Sequence, residues 1–446
     1  MTPTDPRLTG QTVELLQRMI RNACVNDGTP TSGEEVRNAD LLAGYLHGME
    51  LTRYETAPGR TSLLATIEGS DPTAPTLLLL GHTDVVPVSP DEWRQDPFGG
   101  ELIDGEVWGR GAVDMLNLTS SMAVAVRELH ARGWRPRGTL KYLAVADEEA
   151  AGTLGAGWLT EHRWDEVAAD MVLTESGGIP TGDPAGSKLV FAVAEKGIGW
   201  RRLTVRGTPG HGSMPWGADN AVLVAAEVVR RIQDYQPRAQ LGERWEAWVD
   251  GLGLSAEERA LLLDPDRVRE GLARMDHRRA RYCHAATHTT FSPNVIHGGS
   301  KTNVIPDRVD IEVDIRTLPG VGSADVDVML TEALGDLMPR VEVTRAPYER
   351  DASASPTDTP LFDTLRRRAR AAHPNAEVMP WTIVGGTDAA FFRQRGATAY
   401  GAGLFSAKVR LEDYSLRFHG HDERIDVDSL GLSTQLWLDV AEDVLA

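Results

Sequence analysis

The chain has 446 residues, which allows two or three domains of ~150 residues, each able to bury a core. A formal net charge of -19 leaves no general basic footprint for nucleic acid or an anionic membrane, so the partner expected is a small molecule. Only Cys24 and Cys283 are present, too few for a disulfide framework or a thiolate zinc cage, so any metal must rest on His and carboxylates.

Residues 1–10 are polar and lack the basic and apolar regions of a signal peptide, and no apolar run approaches a membrane span. A cytoplasmic location is the expectation. The first two segments read as helical, with Val13, Leu16, Ile20 and Ala23 on one stripe, and Ser32 to Glu35 as a capping box opening the second helix. Short runs rich in Leu and Val at 62–68, 76–80, 139–146 and 171–174 then read as strands, with a helix at 116–132. That alternation predicts an α/β domain with a mostly parallel sheet.

From about residue 200 the pattern changes: strand at 201–206, helix at 220–233, strand at 289–296, then strict alternation over 308–315, with Val309, Ile311, Val313 and Ile315 facing one way. A helix at 323–337 and a strand at 341–345 complete a βαββαβ, ferredoxin-like α+β unit. The charged segment 235–288 reads as a helical elaboration to which the sequence assigns no chemistry. After Asp351 the α/β pattern resumes with a helix at 360–372, a strand at 377–383 and a last helix from Asp428. The expected division is a first catalytic part at 1–198, an inserted domain at 199–350, and a second catalytic part at 351–446.

Ligands of α/β sheets bind beyond the carboxyl ends of the strands, so polar residues just past each apolar run carry the information. Three runs agree: 77–80 leads to His82 and Asp84, 139–146 to Asp147, Glu148 and Glu149, and 171–174 to Glu175. Asp114 adds a carboxylate in the Gly-rich stretch Gly109-Arg110-Gly111-Ala112-Val113-Asp114. A lone His is ordinarily a hydrogen-bonded structural residue, and paired acids are ordinarily a solvated helix start. Gathered at one sheet edge, however, such acids repel one another unless a cation neutralises them, and imidazole with carboxylate suits zinc and, less selectively, cobalt or manganese. His82 and Asp84 stand at i and i+2, one face of an extended chain, so Asp84 can accept from the other ring nitrogen of His82.

Gly81-His82-Thr83-Asp84-Val85-Val86-Pro87, the stretch 93–100, Gly109 to Met115 and Ala146-Asp147-Glu148-Glu149 together resemble the zinc aminoacylase and carboxypeptidase family, and the resemblance spans nearly the whole chain in order. It implies that Asp114 bridges two zinc ions per subunit, with His82 and Glu175 on one and Glu149 and a late histidine on the other. His419, in His419-Gly420-His421-Asp422-Glu423, matches the family's closing motif, with His421 close enough to leave the choice ambiguous from sequence. It further implies that Glu148 is the general base and that His211, in Gly207-Thr208-Pro209-Gly210-His211-Gly212-Ser213, donates to the oxyanion. Asn303, Arg316 and the run Gly385-Gly386-Thr387 match substrate-binding positions, and the inserted domain matches a lid through which relatives form homodimers.

The chain departs from the pattern at Leu116, Asn117, Ala389 and Ala390, none a proposed ligand, so side-chain specificity does not transfer. The resulting expectation is a dinuclear-metal hydrolase that cleaves an amide or peptide bond, as an exopeptidase, a dipeptidase or an N-acyl-amino-acid deacylase. A two-metal phosphoesterase is the alternative enzyme, and it lacks a Gly-Asn-His-type motif here. A non-catalytic binding protein on the same fold would have lost Glu148 or a ligand, and every position is filled.

Overall fold

A computed structural model describes residues 4–181 and 188–446, and residues 1–3 of the polar start lie outside them. The chain divides into two compact units: Met1–Val193, Ser355–Trp381 and Thr387–Ala446 form one, and Ala194–Ala354 with Thr382–Gly386 form the other. The architecture is mixed α/β, with a mostly parallel central sheet in the first unit and an α+β second unit inserted in chain order.

In the first unit, the strand Thr76–His82 lies parallel to Thr139–Val145 on one side and to Met171–Thr174 on the other, and Thr398–Gly401 adds a further parallel neighbour. Leu77 to Leu80 are all buried, as a strand covered on both faces requires. Antiparallel strands extend both sides: Arg60–Ile67 and Glu50–Ala57 beyond Thr139–Val145, and Lys188–Glu195 beside Thr398–Gly401. The apolar runs foretell the central strands, whereas Glu50–Ala57, mostly polar and only partly buried, carries no such signal.

Helices Pro6–Arg21, Leu116–Ala131 and Val427–Val444 pack together, and Leu116–Ala131 also packs on the strand Thr76–His82. The Leu116–Ala131 helix is buried nearly all round, through Leu118, Met122, Ala123, Val124 and Val126. The second helix spans Val36–Tyr45 and follows Glu35 with no side-chain cap, so the expected Ser32 to Glu35 capping box does not form. Gly33 and Glu34 adopt positive φ instead, and the Glu35 carboxylate turns inward to Arg60.

In the second unit, Arg201–Arg206 pairs antiparallel with Arg308–Thr317 and with Val341–Arg345, and Thr290–Gly298 lies on the other side of Arg308–Thr317. With helices Ala221–Asp234 and Ser323–Leu334 intervening in the chain, this is the ferredoxin-like βαββαβ arrangement. Val309, Ile311, Val313 and Ile315 alternate into one core with Leu203, Val228, Ile232, Val326 and Leu330 of the opposing strand and helices. The elaboration is helical, at Glu243–Gly251, Ala256–Leu262, Val268–Ala273 and His277–Thr287, and buries Trp245, Trp248, Leu261, Leu262, Leu272 and Cys283. No described helix is long and apolar enough to cross a membrane.

Leu143 is fully buried in the cluster that joins the central strands to the helices beneath them. Leu143→Ala is expected to cost about 2–5 kcal/mol, because the rigid sheet cannot collapse on the cavity. Urea unfolding of the two proteins side by side, read as a shift in midpoint at unchanged slope, measures it.

Candidate active site

His82 closes its strand opposite Val145, two residues before Asp147 and the turn that carries Glu148 and Glu149, while Glu175 directly follows Thr174. Parallel register thus delivers an imidazole and several carboxylates to one sheet edge. The turn Glu148–Ala150 is a single 3-10 turn between two left-handed residues, Asp147 at φ 75° and Ala151 at φ 83°. Such backbone turns sharply and sends the two neighbouring glutamates in different directions.

Asp114 arrives from the Gly-rich loop before the helix Leu116–Ala131. Gly111 there has φ 90°, and a Cβ on it would lie 2.6 Å from Leu116 and 2.8 Å from Val85, so the close loop needs glycine. Glu423 holds the same loop from the far end of the chain. One carboxylate oxygen accepts the main-chain N–H groups of Val113 at 2.7 Å and Asp114 at 3.1 Å, and the other accepts Arg110 Nη1 at 2.7 Å. His419 sits at φ 55° with its ring stacked on Phe418 at 4.3 Å between centroids.

The donor atoms of His82, Asp114 and Glu175 all lie within 4.8 Å of one another, and so do those of Asp114, Glu149 and His419. Asp114 is common to both groups: its Oδ1 is 3.2 Å from His82 Nε2, and its Oδ2 is 2.9 Å from His419 Nε2. His419 Nε2 is also 3.3 Å from Glu149 Oε2, whereas His421 belongs to neither group and is exposed. His82 Nδ1 lies 3.0 Å from the main-chain oxygen of Asp84 and 3.5 Å from its carboxylate. Glu148 Oε2 is 4.0 Å from His82 Nε2, beside the first group and a member of neither. Each group offers imidazole and carboxylate donors, a set suited to a divalent cation. The buried Glu149 Oε1 has no hydrogen-bond partner among the described residues, as an oxygen reserved for such a cation would.

Electrostatics follow from burial and from this crowding. Burial raises the carboxyls of Glu175 and Glu148 well above their ordinary range, with the charge of Asp114 adding to the first and that of Glu175 to the second. Burial, then the charge of Asp114, pushes Glu149 up to about 7. Burial acts against ionised Asp114 as well, but hydrogen bonds from His419 and His82 hold it well below the carboxylate range. For the imidazoles burial favours the neutral form, yet Asp114 and Glu149 raise His419 to about 10, and Asp114 and Asp84 raise His82 well above its usual value.

The other sequence-picked residues lie on or beside the second unit. His211 and Asn303 come together on a short ladder in which Gly210 and His211 pair with Ile305 and Val304, and Gly212 donates to the Asn303 carbonyl at 2.8 Å. His211 Nδ1 is 2.7 Å from the Ser213 hydroxyl. Arg316 is half-buried, donating through Nε to Asp314 at 2.7 Å with its guanidinium over the Trp200 ring, and Trp200 Nε1 donates to the same Asp314 oxygen. Gly385 and Gly386 belong to the second unit, where the Arg350 guanidinium occupies the space a Cβ on Gly386 would need. Thr387 falls in the first unit and is buried, its hydroxyl accepting from the Ala389 N–H at 3.2 Å.

Sequence reasoning passed over Glu423, Arg110, Asn26 and Arg60. For the first two a signal existed: an Arg four residues before Asp114 and a Glu four residues after His419 are opposite charges flanking two candidate ligands. Asn26 and Arg60 have no such neighbour in sequence.

An imidazole and carboxylate cluster, buried at His82, Asp114 and Glu175 and exposed at His419, stands at the carboxyl edge of the parallel strands, a donor set suited to a metal ion. Residues 78–443 match the family described as Peptidase family M20/M25/M40, and the chain belongs to that family. Among relatives, "N-fatty-acyl-amino acid synthase/hydrolase PM20D1" of Xenopus tropicalis is 28% identical over 97% of this chain and 86% of its own length. Aminoacylase-1 of Mus musculus is 26% identical over 96% of this chain and 94% of its own length. The M20 family metallo-carboxypeptidase Sso-CP2 from Sulfolobus solfataricus shares the fold at TM-score 0.72 and 16% identity, over 98% of this chain and 99% of that one.

The raised groups make stability without a cation depend on pH in one direction. A raised carboxyl destabilises the fold above its unfolded value, and a raised imidazole stabilises it below its own, a gain lost as pH climbs to the folded value. Both kinds bind more protons folded than unfolded, so the contribution of the cluster falls as pH rises above about 4.5. In chelator-treated protein, the melting temperature should fall more steeply from about pH 5 to 8 for the native chain than for Glu175→Gln, which has no carboxyl to ionise there. Parallel curves in differential scanning calorimetry would contradict the assignment.

Proposed function

We propose that the chain is a dinuclear zinc hydrolase that cleaves the amide bond of an N-acyl amino acid or small peptide. The single observation that carries the reading is the sharing of Asp114 between two imidazole and carboxylate groups with Glu148 beside the first. In it His82, Asp114 and Glu175 would hold one cation and Asp114, Glu149 and His419 the other, with cobalt or manganese as substitutes. Bound cations of this kind supply Lewis acidity, polarising a carbonyl and lowering the pKa of a water.

The residues of the chain divide the remaining work. Glu148, 4.0 Å from His82 and outside both groups, accepts the proton of the attacking water and returns it to the departing nitrogen. Asp84 orients His82 through the far ring nitrogen. On the second unit we assign His211 as donor to the carbonyl oxygen as charge gathers there, a role for which its Nδ1 contact with Ser213 leaves Nε2 available. Asn303 and Arg316 would bind the substrate, Arg316 by forking its carboxylate, and Gly385, Gly386 and Thr387 would let backbone approach the same end. Two relatives carry names of N-acyl-amino-acid chemistry, which favours the deacylase side of this reading over the exopeptidase side.

The inserted unit, residues 199–350, acts in this reading as a lid and as the surface of a homodimer. Support for the dimer comes from Thr290–Gly298, an edge strand exposing Val295 and Ile296, and from the exposed Val222 and Leu223 of the neighbouring helix. The free, buried thiols of Cys24 and Cys283 agree with a cytoplasmic setting.

Chelation should abolish cleavage of an N-acyl amino acid, and added zinc or cobalt should restore it. Glu148→Gln should keep the native metal content, by elemental analysis, while kcat drops by about 100-fold or more. A Glu148→Gln enzyme with native kcat would remove the base from this scheme. A panel of N-acyl amino acids and dipeptides, assayed with metal supplied, decides between deacylase and peptidase.

A further inference from the structure

Beneath the turn that carries Glu148 lies a set of buried polar groups that touches none of the proposed ligand atoms except through other residues. Arg60, at the start of the strand Arg60–Ile67, is 2% exposed. Its Nη2 reaches Asp147 Oδ1 at 2.5 Å and Glu35 Oε1 at 2.9 Å, and its Nη1 reaches the Ser32 carbonyl at 2.9 Å. Glu35 Oε1 also accepts the main-chain N–H of Asp147 at 3.2 Å. Asp147 Oδ2 accepts the N–H of Leu154 at 2.7 Å. Asp147 is therefore gripped at its backbone nitrogen and at both carboxylate oxygens.

That grip falls on the residue whose left-handed backbone starts the turn. A non-glycine residue at φ 75° sits in a sparsely populated region that Asp tolerates better than most, and surrounding contacts must hold it there. A buried ion cluster is a poor source of net stability, since burying its charges costs about as much as their attraction returns. Its distinguishing product is direction: the planar guanidinium, anchored through Nη1 to the Ser32 carbonyl and through Nη2 to Glu35, presents its remaining contact to Asp147 Oδ1 from a fixed position. Packing around the fork leaves no slack, because a Cβ on Gly33 would lie 2.7 Å from both the Arg60 guanidinium and Glu35 Oε1.

A second link ties this cluster to the other side of the site. Asn26 Nδ2 donates to Asp84 Oδ2 at 2.8 Å and lies 3.4 Å from Asp147 Oδ1, and Asp84 Oδ2 accepts the main-chain N–H of Glu149 at 3.1 Å. The turn bearing the two glutamates is thus held at its first residue by Arg60 and at Glu149 by Asp84, with Asn26 between.

We infer that Arg60 is a positioning residue for Glu148: by locking Asp147 in its left-handed conformation it aims the general base without touching substrate. The inference rests on the assignment of Glu148 as base, and the test separates the two. Arg60→Met should keep the native metal content and a KM within about twofold, while kcat falls by about 10- to 100-fold. Arg60→Lys, which keeps the charge but not the fork, should recover only part of that loss.

The deciding measurement is the double variant. If Arg60 acts through Glu148, adding Arg60→Met to Glu148→Gln should change the residual rate by less than about twofold. An equal fold-loss in both backgrounds would overturn the inference, as would loss of metal or an unchanged kcat in Arg60→Met. Should Arg60→Met fail to fold, Arg60→Lys with and without Glu148→Gln carries the same comparison. Native activity in Glu148→Gln alone would instead sink the base assignment, whatever Arg60 does.

Discussion

The structure is organised around mutual repulsion among buried carboxylates. Asp114, Glu148, Glu149 and Glu175 crowd one sheet edge with two imidazoles as the nearest offsetting groups, and burial already disfavours ionising any of them. Left to themselves such side chains would take up protons or splay apart. The fold prevents the second: three parallel strands with mostly apolar interiors fix where the chain emerges, and Glu423 pins the backbone of Asp114 from a segment some three hundred residues away. What remains is a site suited to a divalent cation, because a concentrated positive charge offsets the acids of both groups.

How much of this is written locally depends on which force placed each group. Parallel strands between two helical layers are mostly apolar, so they announce themselves, and the polar residues just past each one stand out; His82, the run 147–149 and Glu175 are read this way, while the choice of Glu149 within its run came from the resemblance. Asp114 and His419 end no strand: Asp114 stood out only as a carboxylate in a Gly-rich loop, and His419 came from a motif resemblance alone. The strand Glu50–Ala57 went unread because one side of it faces solvent and its residues are polar. Ser32 to Glu35 shows the opposite failure. A local pattern that ordinarily caps a helix was overridden because Glu35 has a better use, a buried guanidinium that comes from a strand beginning 25 residues later.

The second unit repeats the lesson. Alternation in Arg308–Thr317 was legible since its partners lie on one face only. The allegiance of Thr382–Gly386 was not, for its contacts with that unit come from distant chain: the Tyr282 hydroxyl donates to the Thr382 carbonyl at 2.9 Å, and the Lys196 N–H donates to the Ile383 carbonyl at 3.0 Å. Tyr282 lies in the helical elaboration, so a segment with no visible chemistry of its own supports the glycine loop. Lys196 strengthens the same corner, since its buried ammonium caps the end of the helix His277–Thr287 through the carbonyls of Ala285 and His288.

Both units therefore place a buried cation where backbone, not side chain, has to be held. Arg60 grips the turn of Glu148, Arg110 shares Glu423 with the loop of Asp114, Arg350 fills the space beside Gly386, and Lys196 closes a helix end. An apolar core resists compression yet is indifferent to the angle at which a loop leaves it. A fork of donors is not, and the loops of this protein leave the sheet carrying groups whose chemistry depends on angle. Burying charge in these places is costly for stability, which is a reason to expect it where direction matters; Arg60 and Arg110 stand beside the turn of Glu148 and the loop of Asp114.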